Sequence, residues 1–226
     1  MTYLETYTSS LNNSSLSDSI TTTAKSVVSN IESRFDFTEP LTGLLLGNVQ
    51  SGKTGQMLGV ISHLADKGYR IFLLLTTDNI DLQRQTYNRV KSALTSFTVL
   101  SESDVVLFNP HNLIKPIVIV LKKNASVLRK WGNLLMTYQL NTGLCLTIFD
   151  DEADAASLNT LVNRNRTSTI NKHLQKIKDT ASSSLYLEVT ATPQSIILQT
   201  VMSGWKPAFI NYFKPGKDYL GGNFFY

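Results

Sequence analysis

Five short runs, LTGLLLG (41–47), RIFLLLT (70–76), PIVIVL (116–121), LCLTIF (144–149) and LYLEVT (185–190), are apolar almost throughout and recur with helix-period segments between them. A strand with one face in water alternates apolar and polar residues, whereas a strand apolar on both sides must be covered on both faces. Helices that alternate with such strands supply that cover. The pattern therefore predicts an α/β fold, a parallel sheet with helices on both faces. The helical segments are GQMLGVISHLADKG (55–68), IDLQRQTYNRVKSAL (80–94), ASVLRKWGNLLMTYQL (125–140) and TSTINKHLQKIKDTA (167–181). VVLF (105–108) reads as a further strand.

Outside this core the signal changes. The first fifteen residues, rich in Ser, Thr and Asn, read as a frayed end. Leu16, Ile20, Ala24, Val27, Ile31 and Phe35 then recur at helical spacing. The expected organisation is a flexible segment and amphipathic helix over 1–35, an α/β domain over 36–200, and an irregular extension over 201–226. The extension is rich in Pro, Gly and aromatics, and its abrupt Phe-Phe-Tyr end leads us to expect a further C-terminal region.

With 42% hydrophobic and 17% charged residues the chain has enough apolar material for a sizeable core. No apolar run reaches the length of about 18 residues that marks a membrane span, and the N-terminus lacks a secretory signal pattern, so a soluble cytoplasmic protein is expected. Cys145 is the only cysteine, which excludes a disulfide framework and a Cys-based zinc site within one chain. A net charge of +4 permits an anionic partner. Lys115 to Lys130 and Arg164 to Lys178 are acid-free basic stretches, read either as solvated helix faces or as the wall of a nucleic-acid groove.

The first apolar run ends in chemistry. Gly47, Gly52, Lys53 and Thr54 satisfy the G-x-x-x-x-G-K-[ST] pattern between a strand and a helix. Backbone amides of such a loop, here through Ser51 to Gly55, wrap phosphates; Lys53 offers a point charge and the Thr54 hydroxyl a Mg²⁺ ligand. The fourth run supplies an acidic counterpart, FDDEAD, at the carboxyl end of its strand. Open α/β sheets bind ligands at that end. Asp151 is assigned to Mg²⁺ and Glu152 to the attacking water, although Asp150 is an alternative metal ligand. The fifth run ends in Thr190-Ala191-Thr192-Pro193.

GNVQSGKT, DDEAD and TATP, in this order, resemble motifs I, II and III of superfamily-two helicases and translocases, whose first RecA-like domain carries all three. Thr76 to Thr86 resembles motif Ia of that superfamily. Together with TSTIN and YLGGNFF, the motifs are also similar to the Z-one domain family, assigned to endonucleases and found in bacterial restriction and anti-phage operons. This likeness covers residues 40 to 226. It implies ATP as cofactor with Mg²⁺, and an ATP site that includes Gln50, Gly52, Lys53, Thr54, Asp151 and Glu152. It implies that Thr190 and Thr192 couple that site to DNA, and that Thr76, Asn79, Gln83 and Gln85 lie near the strand path with Lys122 and Lys123 flanking it. For Gln83 and Gln85 the alternative is an exposed polar helix face.

Superfamily-two enzymes hydrolyse ATP between two RecA-like domains, the second supplying arginines. No second sheet is legible after residue 200, so a second RecA-like domain is an expected partner, as are proteins of the same defence operon. None of the 17 acidic residues begins an Asp/Glu-x-Lys tripeptide, so the common nuclease core is not visible. A nucleotide-gated interaction module and a nuclease with its site elsewhere are the alternative functions. His63, His111 and His173 lack metal-ligand spacing; Trp131, Trp205, Phe35 and Phe37 are expected to serve packing.

Overall fold

A computed structural model of the chain describes residues 1–47, 52–111, 113–138, 144–153, 169–192 and 206–213. The five apolar runs form strands β1 (Leu41–Gly47), β2 (Ile71–Thr76), β4 (Ile117–Lys122), β5 (Cys145–Asp151) and β6 (Ser183–Thr190). Two more, β3 (Thr98–Ser101) and β7 (Phe209–Phe213), complete a sheet of order β3-β4-β2-β5-β6-β1-β7 among the described residues. Each neighbouring pair is parallel.

Helices α1 (Tyr3–Ser9), α2 (Ser14–Glu32), α3 (Lys53–Asp66) and α4 (Ile80–Ala93) share one core with Leu45, Phe72, Val118, Phe149 and Leu187 from one sheet face. Helices α5 (Ala125–Thr137) and α6 (Thr169–Lys178) share another with Ile71, Ile119, Leu146 and Tyr186 from the opposite face. The split follows from handedness. Right-handed crossovers running from β1 toward β3 place their helices on one side, and those returning from β4 toward β6 place theirs on the other.

Three expectations are corrected. The first residues are ordered: Thr2 and Glu5 form a reciprocal capping box, Glu5 N–H to Thr2 Oγ1 at 3.1 Å and Thr2 N–H to Glu5 Oε2 at 2.8 Å. The Asp66 carboxylate takes the Tyr3 and Leu4 amides, and Leu4 and Tyr7 are buried. The T-x-x-E signal was present in the sequence, but the helix is only seven residues long and is held by what it packs on. VVLF is a single 3₁₀ turn (Val105–Leu107), and TVLS just upstream is the edge strand instead. Residues 201–226 are not wholly irregular, because β7 adds to the sheet beside β1 and carries the α/β domain past residue 200. Phe209 and Phe213 are buried while Ile210 and Tyr212 between them are exposed, the alternation of a strand with one open face.

Close approach explains two glycines. A Cβ on Gly43 would stand 2.4 Å from Cζ of Phe209, so only glycine lets that ring lie on β1. A Cβ on Gly59 would stand 2.3 Å from Cγ2 of Ile20, so α2 seats on α3 through a glycine. Gly59→Ala is expected to lower stability by about 1–3 kcal/mol through overpacking. Urea unfolding measures it, and Ile20→Ala in the same chain should add less than its cost in the wild type because the two changes relieve each other.

Candidate nucleotide-binding site

Parallel pairing brings the motif-bearing strand ends to one edge. Leu46 pairs Thr190, Asp151 pairs Val189, Leu75 pairs Asp150 and Thr76 pairs Lys122. Only β6 separates β1 from β5, so the carboxyl ends of those two strands stand about 10 Å apart, two strand spacings. Thr190, Ala191 and Thr192, at the end of β6, emerge between them.

On one side Gly52 occupies the N-cap of α3 with φ 75°, a left-handed conformation that favours glycine. Among the described residues no side chain caps this helix, which leaves its first-turn amides for another acceptor. Among the described residues a Cβ on Gly52 would meet nothing within 4 Å. Lys53 and Thr54 are half-buried. Arg89 of α4 reaches toward the Thr54 hydroxyl at 3.4 Å, and the Tyr7 hydroxyl donates to the Gly55 carbonyl at 3.1 Å. Gln50 and Ser51 lie outside the described residues; Gly47 ends β1, buried.

Across β6 the adjacent aspartates part company because successive side chains on a strand face opposite ways. Asp150 follows Leu146 and Ile148 onto the α5/α6 face, where it is fully buried and paired with Lys123 Nζ at 2.9 Å. Tyr186 also donates its hydroxyl to Asp150. Asp151 follows Phe149 onto the α3 face and remains partly accessible. Of the two, Asp151 is the one with room for a metal. Burial pushes its carboxyl up to about 6, opposed first by the charge of Lys53, while neighbouring Glu152 adds to the rise. Lys53 and Asp151 therefore feel each other across the loop gap. Glu152 is exposed and has φ 52°, uncommon for a residue with a Cβ. Asp154 and Pro193 lie outside the described residues.

A hydroxyl and a carboxylate are hard oxygen donors, and two of them suit Mg²⁺, which keeps several waters and takes phosphate oxygens. An uncapped helix start with an adjacent lysine suits the phosphates themselves. The described residues thus fit a magnesium nucleotide.

The coupling and polymer-facing residues divide. Thr190 is buried, and its hydroxyl oxygen accepts from the exposed Thr192 amide at 2.9 Å. Asn79 is exposed and caps α4 through the Asp81 and Leu82 amides; Gln85 is exposed. Four residues expected near a strand path are turned inward. Thr76 is buried beneath the edge. Gln83 is buried with its amide on the Val120 carbonyl at 3.2 Å, so it is neither a polymer contact nor an exposed helix face. Lys122 has a side chain only 13% exposed and pairs with Glu102 at 3.4 Å. Lys123 is 0% exposed. Lys-Lys after a strand looked like surface, yet Lys123 continues the row Ile117, Ile119, Leu121 that faces α5, and that parity was the available signal.

The same face holds groups that sequence reasoning missed. Lys178 of α6 sits over the Tyr186 ring at 3.4 Å from its centre. Glu188 lies in the same layer, where burial and then Asp150 push its carboxyl up to about 8 against the pull of Lys178 and Lys123. Trp131 is in the core as expected, donating to the Glu102 carbonyl at 3.1 Å. Phe35 is buried, whereas Phe37 is 51% exposed and leans on Phe35 and Tyr69. Among the described residues no helix is long and apolar enough to cross a membrane.

No family model and no curated protein sequence matches the chain. Among solved structures it is similar to the Hef helicase domain of Pyrococcus furiosus, at 16% identity over 82% of this chain and 37% of that one, with a TM-score of 0.47. It is also similar to the DUF1998 helicase MrfA bound to DNA, at 14% identity over 89% of this chain and 29% of that one, with a TM-score of 0.46. The chain thus spans about a third of the length of these structures.

The raised Asp151 carboxyl sets a pH test. Its folded value of about 6 lies above the ordinary aspartate value of about 3.9, so the folded state binds more protons between these limits and loses stability as pH rises through them. Asp151→Asn removes that loss. The variant should be more stable than wild type by about 1–3 kcal/mol at pH 7.5 and show little gain at pH 4, read from denaturant midpoints at the two pH values.

Proposed function

We propose that this chain is the ATP-binding half of a superfamily-two helicase- or translocase-like ATPase that acts on DNA, in bacterial restriction or anti-phage defence. The observation that carries the reading is the shared edge: an uncapped helix start with Lys53 and Thr54, and an acidic turn with Asp151 and Glu152 one strand away. Defence context, ATP as the nucleotide and a second RecA-like domain come from the resemblance of the sequence motifs.

In this reading the first amides of α3 hold the phosphates, and Lys53 places its charge on the outer ones. Bound Mg²⁺ would neutralise phosphate charge, held by the Thr54 hydroxyl and the Asp151 carboxylate. Glu152, exposed beside them, takes the proton of the attacking water. Thr190 and Thr192 leave the sheet between the two sides, placed to sense both. A second domain supplies arginines, so this chain alone turns ATP over slowly. DNA lies against the exposed edge around Asn79 and Gln85, with exposed Arg129 and Lys130 of α5 contributing positive field.

Lys53→Ala should abolish binding of a fluorescent ATP analogue, whereas Glu152→Gln should bind it as wild type does and hydrolyse at least about 100-fold more slowly. Both follow from equilibrium titration and single-turnover assays. Hydrolysis that survives Glu152→Gln removes Glu152 from the base role.

A further inference from the structure

Lys123 is a fully buried charge with every donor of its ammonium engaged. Its ammonium has three N–H donors, and three oxygens receive them: Asp150 Oδ1 at 2.9 Å, the Asp151 carbonyl at 2.7 Å and the Glu152 carbonyl at 2.7 Å. Two of the three are main-chain atoms of the acidic turn. The base of this side chain is anchored too, since the Lys123 amide donates to the Thr76 carbonyl at 2.9 Å. We propose that Lys123 is a positioning residue, which clamps the Asp151–Glu152 turn so that its two carboxylates stand toward the phosphate loop. The proposal rests on the nucleotide reading above.

Three observations carry it. The turn needs holding: Glu152 has φ 52°, a left-handed conformation that a residue with a Cβ disfavours. Both ends of that residue are tied, its amide to Asp151 Oδ1 at 3.1 Å and its carbonyl to Lys123. Next, the clamp is stiff, because Asp150 is itself fixed by the Tyr186 hydroxyl, and Lys178 lies on the Tyr186 ring. Last, stability alone is a poor reason for the arrangement. A buried ion pair is often no more stabilising than apolar residues of the same volume, so its geometry has to be useful elsewhere. Here it reaches Asp151, which ends β5, and Glu152 just after it, at the edge where Lys53 begins α3.

A structural ion pair and a clamp make different predictions once both charges are removed together. Lys123→Met strands the Asp150 charge and should destabilise the fold. Lys123→Met with Asp150→Asn removes the stranded charge and should recover most of the thermal stability, yet it leaves the turn unheld. The probe is a fluorescent ATP analogue titrated in EDTA and again in Mg²⁺, with Lys53→Ala as control. The double variant should match wild type within about twofold in EDTA, where Asp151 has no metal to hold, and should lose at least about tenfold of the affinity gained with Mg²⁺. Asp150→Asn alone keeps Lys123 on both carbonyls and should retain most of that gain. A double variant with restored stability and an undiminished Mg²⁺ gain overturns the clamp, as does an Asp150→Asn protein that loses the gain as fully as Lys123→Met. Should the double variant not fold, the comparison of Asp150→Asn with Lys123→Met decides. Lys53→Ala binding the analogue like wild type contradicts the nucleotide reading instead, a separate and recognisable result.

Discussion

Parallel pairing is the constraint from which the site follows. Seven described strands run the same way, so every carboxyl end reaches one edge, and the ends of β1, β5 and β6 lie side by side there without any long-range side-chain contact being required. The apolar cores on the two faces hold the sheet, and the sheet holds the edge. A phosphate loop alone is a helix start. Set one strand from an acidic turn, it becomes one wall of the proposed nucleotide cleft.

The period of two along β5 does as much as the topology. It sends Asp150 inward to Lys123 and Tyr186 and sends Asp151 outward toward Lys53. Two neighbouring carboxylates thereby receive unlike environments, one neutralised within a buried network and the other held with a raised carboxyl at the cleft. Charge kept partly out of water costs stability, and the cost is concentrated where the chemistry is proposed. The Glu188 carboxyl, pushed up to about 8 in the same layer, extends that pattern one strand further.

Much of this was legible in the residues. Apolar runs at strand length announced β1, β2, β4, β5 and β6, and the Gly-Lys-Thr and Asp-Glu signatures located the edge before any coordinate. What escaped depends on tertiary context. TVLS and FINYF are short edge strands whose pattern competes with turns, and each is secured by its single neighbour. Helix α1 is too short to persist alone and is held by Asp66 and by packing on α3. Lys122, Lys123 and Gln83 carry polar names yet point into the protein, because a strand end or a helix face turned them there. Whether a lysine after a strand is surface or clamp depends on parity, and parity needs the strand's exact register.

The central claim, that the nucleotide edge drives work on DNA, is tested most directly by ATP hydrolysis of the protein together with the proposed second RecA-like domain in the presence of single-stranded DNA, duplex DNA, RNA or no polymer. Stimulation of at least about tenfold by a DNA form, lost at higher salt as phosphate contacts are screened, is the predicted result. Hydrolysis indifferent to every polymer would contradict it and leave a nucleotide-gated interaction module in its place.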